Sequence, residues 1–438
     1  MSFVADDLAV ALQHYFERRP GLDVAIGSGR LEEFVARELA QPGLLDQFVR
    51  EMGLSKVGSG PVSHAEPGEG ALTPFLAEYI AERARIGPDA PAMRIRPEPS
   101  GAPQPIVAVV FTAEAVLIID TVSALAEDAA PSGLAVVAVR DTWLDERGRA
   151  LRAIVHDPGG PADVRFSSPA AMAAAWILHL APPEHETHRE LSARLDRAGV
   201  RVLNPYQTSQ RLDDKAETHR LWRTAGVETP DWTLLPFGTS SVAAATMVAD
   251  AVGRWGGAFI LPNDATEGRE VERFAPGQER AAADHAARLL RSGPVLLRQP
   301  RGNIRFGSPP RAMALRVHVA WDGTRWEAES GFAQVAPSSE DPVASRGRGG
   351  SIVSLRQALP PDTAVALAEA SECAAAALGP GSGVIGLDLV LENHGDSARA
   401  VFLEANPRPA GLNHSEPLLA PGGQGPWVTR ALWRGLGG

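Results

Sequence analysis

The stretch "VFLEANPRPAGLNHSEPL", residues 401–418, is the one whose reading decides the fold. An apolar lead-in ends in Glu404 and Asn406, and then Pro407, Pro409 and Gly411 turn the chain. Side chains alternate faces along a strand, so Glu404 and Asn406 point the same way, and the same alternation places Phe402 with them. Two oxygen donors facing one space, one of them charged, suit a hard divalent cation such as Mg2+. Upstream, "VIGLDLVLE" (384–392) is apolar except for Asp388 and the closing Glu392. The connection "NHGDSARA" (393–400) has the Asn, Gly, Asp and Ser of a hairpin turn. Folding that hairpin brings Asp388 near Glu404, with Arg408 beside them. The plain alternative is a half-buried hairpin with polar residues at its solvent end.

Taken together, "GLDLVLE" and "VFLEANPRP" resemble the metal-binding core of the ATP-grasp superfamily. The resemblance implies that Asp388, Glu404 and Asn406 hold two magnesium ions against the phosphates of ATP. The tail "LEANPRPAGLNHS" is similar to D-alanine–D-alanine ligases, in which a serine nine places after the metal asparagine helps to hold the second substrate's carboxylate; Ser415 stands at that spacing. Gly411 is the counterpart of their oxyanion-hole glycine, shifted by one place after Ala410. "NPRP" is closer to amino-acid and peptide ligases of antibiotic pathways, the pheganomycin peptide ligase among them. Two readings stay open at this point: Ser415 as a cap of the last helix, and Arg408 as the partner of a carboxylate.

The segment "SQRLDDKAETHRLWRTAGVETPDWTLL" (209–235) resembles the ATP-grasp helix that a phosphate-binding lysine opens. Lys215 takes that place, with Asp213 or Asp214 as cap, Gly226 as stop and Pro230 as breaker. The next element departs from the pattern. In "GGAFILPNDATEGREVERF" (256–274), Leu261 stands where a second ATP lysine is expected, and Gly268 alone remains of a glycine-rich loop over the phosphates. Either another cation compensates (Arg269, Arg298 and Arg301 are the candidates), or the site is degraded.

"GPVLLRQPRGNIRF" (293–306) resembles the strand under the adenine, with Arg298 and Gln299 at its edge. "AMALRVHVAWDGTRWEAESGFAQVAP" (312–337) reads as two antiparallel strands joined by an Asp-Gly turn. Arg316 and His318 share a face there, and a phosphate or acyl-phosphate contact suits Arg316. "SRGRGGSIVSL" (345–355) is a basic glycine-rich loop able to close over an anionic substrate, with Arg348 as its substrate-binding candidate.

The chain has 438 residues and a net charge of −11. That charge argues against a general nucleic-acid or anionic-membrane binder. No apolar run approaches bilayer length, and no secretory leader is read at the start, so a cytoplasmic enzyme is expected. The single cysteine, Cys373, lies in a helical pattern and reads as a packing residue. Residues 4–19, 30–53 and 72–87 read as amphipathic helices around a Gly/Pro/Ser stretch at 57–74. From 104 the pattern is strand, helix, strand, turn, strand. "PAAMAAAWILHLA" (169–181) and "ETHRELSARLDRAGV" (186–200) read as helices, and "VRVLNP" (200–205) as a strand.

The expected fold is α/β (α+β). An ATP-grasp fold of two α+β subdomains (206–438) follows a mainly helical N-terminal region (1–95) and a small α/β pre-ATP-grasp domain (96–205). The resemblance implies an ATP-dependent ligase. It would join a small-molecule carboxylate, through an acyl phosphate, to an amino acid or peptide amine, with a place in natural-product biosynthesis. Arg316 and Arg408 would hold the transferred phosphoryl. A homodimer is a further expectation. The competing reading is a nucleotide-binding subunit with degraded catalysis.

Overall fold

The computed structural model describes residues 94–96, 105–112, 115–157, 160–180, 184–264, 270–359, 361–395, 397–418 and 429–437. The expected helices at 4–19, 30–53 and 72–87, the stretch at 57–74, Gly268 and Arg269 lie outside the described residues.

Three sheets organise these residues. The first contains β1 (Arg94–Arg96), β2 (Ile106–Phe111), β3 (Ala135–Arg140), β4 (Ala150–Asp157), β5 (Gly160–Ala170), β6 (Met172–Ile177) and β7 (Arg201–Leu203), in the order β1-β5-β4-β3-β2-β6-β7. Within the segment 169–181, expected as a helix, residues 169–170 instead end β5 and residues 172–177 form β6. Its alanines favour a helix, but propensity is a weak prior that tertiary packing overrides. β6 lies between parallel neighbours β2 and β7, and a strand buried on both faces reads as a continuous apolar run without alternation. Trp176 at its centre is fully buried.

The second sheet is antiparallel, with β8 (Trp232–Leu235), β9 (Ala258–Pro262), β10 (Glu272–Phe274) and β11 (Val295–Arg298) in the order β10-β9-β11-β8. One face packs through Ala258, Ile260, Val295 and Leu297 onto the helices Ser241–Trp255 and Glu279–Leu289. Ser240 caps the first of these by accepting from the Ala243 N–H, and Gly256 stops it at φ +67°.

The third sheet holds β12 (Arg305–Phe306), β13 (Arg311–Trp321), β14 (Trp326–Val335), β15 (Ser351–Val353), β16 (Val384–His394), β17 (Ser397–Asn406) and β18 (Glu416–Pro417). Its main order is β15-β14-β13-β16-β17, with β12 on β13 and β18 on β14. Asp322 shapes the β13–β14 turn by accepting from the main-chain N–H groups of Thr324 and Arg325. Leu315, Val317, Leu387, Leu389 and Ala405 bury one face against the helix Pro361–Ala377, around Leu367, Ala374 and Ala375. The opposite face of β13, β16 and β17 is therefore left to polar side chains. Among the described residues no helix is long and apolar enough to cross a membrane.

Candidate active site

Register aligns the polar side chains of the third sheet. Arg316 on β13 is opposite Asp388 on β16, and Asp388 is opposite Glu404 on β17. Asn406 is opposite Gly386, two residues from Asp388 and on the same face. The alternation that also placed Phe402 on this face is broken. Leu389 pairs with Phe402 while Asp388 pairs with Glu404, so Leu403 is an unpaired bulge residue. The bulge turns Phe402 to the core face, where it meets Trp222 with ring centroids 5.7 Å apart.

Arg316 grips Asp388 with Nε–Oδ1 of 2.7 Å and Nη2–Oδ2 of 2.6 Å. Asn406 Nδ2 lies 3.2 Å from Asp388 Oδ2 and 3.5 Å from Glu404 Oε1. Lys215 reaches in from its helix, Lys215–Thr224, with Nζ 3.6 Å from Glu404 Oε2. Burial pushes Asp388 up to about 6, and the negative charge of Glu404 adds to this against the pull of Arg316. Burial also acts to raise Glu404, but Lys215, Asp388, Arg298 and Arg316 together hold it below the usual carboxylate range. Of the two carboxylates, Asp388 is the one whose affinity for a proton is raised.

The cap of the Lys215 helix is Asp214, whose side chain accepts from the Glu217 N–H. Asn263 completes the cap. Its carbonyl accepts from the Lys215 N–H, its Oδ1 accepts from the Ala216 N–H, and its Nδ2 donates to Asp214. Asp213 does other work: it forms a buried ion pair with Arg408 at 2.8 Å. A second Arg408 nitrogen is 3.3 Å from His188 Nδ1. The arginine expected beside the transferred phosphoryl is thus turned toward the helices Glu184–Arg197 and Tyr206–Asp213 and is neutralised there.

Leu261 is fully packed, in a cluster with Ala216, Val271 and Leu296. No vacant lysine slot exists at this place. Arg298 is the nearer cation. It lies on the same face of the second sheet, beside Phe259 and Trp232 in register, and donates to the carbonyl of the bulge residue Leu403 at 3.3 Å. Glu404 and Asp388 both act on its charge. Arg301 is not available for this role, because it is held by Glu392 at 2.7 Å and Glu228 at 2.9 Å. Gln299 closes the edge of the sheet by exchanging hydrogen bonds with Asp231.

At the other end of the face, Gly411 has φ +84°, and a Cβ there would come within 2.7 Å of the Phe332 ring. Ser415 is buried, with Oγ 2.7 Å from His318 Nδ1 and 3.4 Å from the Gly411 carbonyl. Burial, with Arg316 nearby, lowers His318 to about 3, so it is a neutral imidazole. Arg348 donates to the Val271 carbonyl at 3.0 Å and lies 3.7 Å from Asp341. The sequence reading passed over Asn263, Arg346 and His219, and gave His318 a face but no role. His219 is buried one turn after Lys215, an i, i+4 spacing that carries it to the same helix face.

No protein-family model matches the chain, and no curated protein does. Solved structures do match. D-cycloserine synthetase DcsG is 20% identical with a TM-score of 0.51, over 76% of this chain and 99% of that one. D-alanyl-alanine synthetase A from Vibrio cholerae O1 biovar eltor is 12% identical with a TM-score of 0.48, over 74% and 92%. VanG D-Ala:D-Ser ligase from Enterococcus faecalis is 13% identical with a TM-score of 0.47, over 70% and 91%. At 20% identity the likeness to the first of these is one of fold: the chain has the ATP-grasp fold.

Proposed function

We propose that the protein is an ATP-dependent ligase that joins a carboxylate to the amine of an amino acid or peptide. The observation that carries this reading is the single row Arg316–Asp388–Glu404, with Asn406 beside it and Lys215 facing it. Oxygen donors of Asp388, Glu404 and Asn406 suit one or two Mg2+ ions, whose charge, when bound, screens the triphosphate and the phosphoryl group in transfer. The residues fit that ion: two largely covered carboxylates lie side by side, and the raised Asp388 reflects its burial and then the charge of Glu404.

A carboxylate does not react with an amine directly, because oxide is a poor leaving group. Transfer of the γ-phosphoryl of ATP to it yields an acyl phosphate and ADP. The amine then attacks the carbonyl carbon, a C–N bond forms, the C–O bond to phosphate breaks, and the amine gives up its proton. Phosphoryl transfer needs positioning and charge more than protein nucleophiles. Lys215 and Arg298 supply fixed positive charge at the nucleotide end. Arg316, held by Asp388, supplies it at the reacting end. The turn Gly411–Ser415 borders the space for the amine substrate. Residues 206–438 form the catalytic part in this reading, and residues 96–205 the pre-ATP-grasp domain.

The packed Leu261 favours a second reading, a nucleotide-binding subunit without ligase activity. One experiment separates the two. ADP release is measured over a panel of amino acids and peptides, with products sought by mass spectrometry, in wild type and in Asp388→Ala. A ligase releases ADP with coupled product, and the variant does not. ATP binding without turnover under every pairing supports the second reading.

A further inference from the structure

The loop "SRGRGG" (345–350) puts its two arginines to different uses. Arg348 is exposed but engaged by groups of the protein, the Val271 carbonyl and Asp341. Arg346 is exposed. Its main-chain N–H donates to Gln334 Oε1 at 3.2 Å, and its Nη1 donates to His414 Nε2 at 2.8 Å. The other arginines near the site have carboxylate or carbonyl partners: Arg316 has Asp388, Arg408 has Asp213, and Arg298 has the Leu403 carbonyl. Among the described residues Arg346 forms no ion pair, and its side-chain partner is an imidazole acting as acceptor.

Its position is built rather than incidental. Gly349 has φ +83°, and a Cβ on Gly350 would come within 2.7 Å of the Ser345 and Val335 carbonyls. The loop is therefore packed down onto the end of β14, with no room for a side chain at position 350. His414 stands edge-on to Phe332 at 6.5 Å, and Phe332 is opposite Arg316 in register. Arg346, His414 and Phe332 thus run in contact toward the row of Arg316 and Asp388. Ser415 lies beneath this surface with its hydroxyl already engaged by His318.

We propose that Arg346, with His414 orienting it, recognises the free carboxylate of the amine substrate and sets the specificity for it. This rests on the ligase reading above. The guanidinium presents a planar fork that matches a carboxylate with two parallel hydrogen bonds. Exchanging an imidazole acceptor for a carboxylate replaces a weaker partner with a charge-assisted one. Ser415 in this assignment is a strut that fixes the turn carrying His414, and not the group that meets the carboxylate.

The test uses the best substrate pair from the amino-acid panel and compares the amine substrate with its own carboxamide. Wild type should prefer the free acid by at least about tenfold in kcat/KM. Arg346→Ala should lower kcat/KM for the acid by on the order of a hundredfold, through KM, with the amide and the KM for ATP unchanged. Arg346→Lys should regain part of the loss, and Arg348→Ala should leave the acid-to-amide ratio as it is. If Arg346→Ala keeps the full preference for the acid, or if Arg348→Ala removes it, the assignment is wrong. If no pairing in the panel yields coupled product, the ligase reading itself fails, which is a separate result.

Discussion

Arg316 and Asp388 face each other across adjacent strands and join through two hydrogen bonds, of 2.7 and 2.6 Å. Their side chains are largely covered, 13% and 14% exposed, and Glu404 lies on the far side of Asp388. Removing one partner of such a pair leaves a buried charge without compensation, which costs about 3–5 kcal/mol. Arg316→Ala should lower the stability by that order in denaturant titration. Arg316→Ala combined with Asp388→Ala should recover much of the loss, because the orphaned carboxylate goes with its partner. A double variant as unstable as the single one would mean that the cost comes from lost packing.

Glu404 is the carboxylate that stays ionised in this row, held so by Lys215, Asp388, Arg298 and Arg316 despite its burial. Glu404→Gln keeps the shape and removes the charge that a hard cation requires. ADP formation should fall below about a tenth of wild type, a barrier change of at least ~1.4 kcal/mol. Turnover above that level speaks against a metal held by Glu404.

Leu261 decides how the nucleotide is held. Since it is packed against Ala216, Val271 and Leu296, restoring a lysine there puts an ammonium group in an apolar cluster. Leu261→Lys should therefore destabilise the fold by several kcal/mol and should not tighten ATP binding. Arg298→Ala should weaken ATP binding and flatten its dependence on salt, whereas Arg301→Ala, which removes an ion pair with Glu228 and Glu392, should leave it unchanged. Isothermal titration with ATP at two ionic strengths reads both effects. Equal ATP affinity in wild type and Arg298→Ala would transfer the nucleotide contact to Lys215 and the loop amides.

The pH dependence has a different origin, at the helix Arg430–Gly437. Asp128 accepts from the Thr429 N–H and hydroxyl and from Trp433 Nε1, while Glu329 accepts from the Ala431 N–H. Two carboxylates, Asp128 from the helix Ala115–Ala129 and Glu329 from β14, thus cap one helix start. Burial pushes Glu329 up to about 7, with Asp128 and Glu327 adding to the rise and the Ala431 N–H and Arg434 opposing it. Its folded value lies above its ordinary 4.5, so the protonated form is the one that folding favours. That stabilisation is complete below about pH 4.5 and is lost as pH rises through 7, with a ceiling on the order of 3 kcal/mol. Glu329→Gln should be more stable than wild type above pH 7 and should flatten the decline between pH 5 and 8. Thermal unfolding across that range checks it; an unaltered slope in the variant assigns the decline elsewhere.

The sequence made the hairpin Asp388–Glu404 legible because period-two alternation and turn residues are local signals. The bulge at Leu403 has no such signature, and so the side of Phe402 was misread. The segment 169–181 was misread because its alanines have a helical preference while its burial between β2 and β6's other neighbour, β7, is a long-range fact. Lys215 was visible from its place after two aspartates. Which aspartate caps the helix was not, since that depends on Arg408, 195 residues away in sequence, claiming Asp213. Leu261 showed the missing charge, but only the packing shows that its place is filled.

Gly411 offers a last and separable prediction. A Cβ there meets two penalties: a contact of 2.7 Å with the Phe332 ring, and a backbone at φ +84° that L-residues adopt at a cost. The left-handed conformation costs on the order of 1–2 kcal/mol for a residue with a Cβ. The ring contact adds a steric cost of about 1–3 kcal/mol, because the aromatic side chain sits in a packed row between His318 and His414. Gly411→Ala should thus destabilise by roughly 2–5 kcal/mol, the two costs together. Pairing it with Phe332→Leu relieves the contact and leaves the φ penalty, so the pair should be less destabilised than the sum of the two single variants. A fully additive pair would show that Phe332 does not set the cost, and that Gly411 is required for its conformation alone.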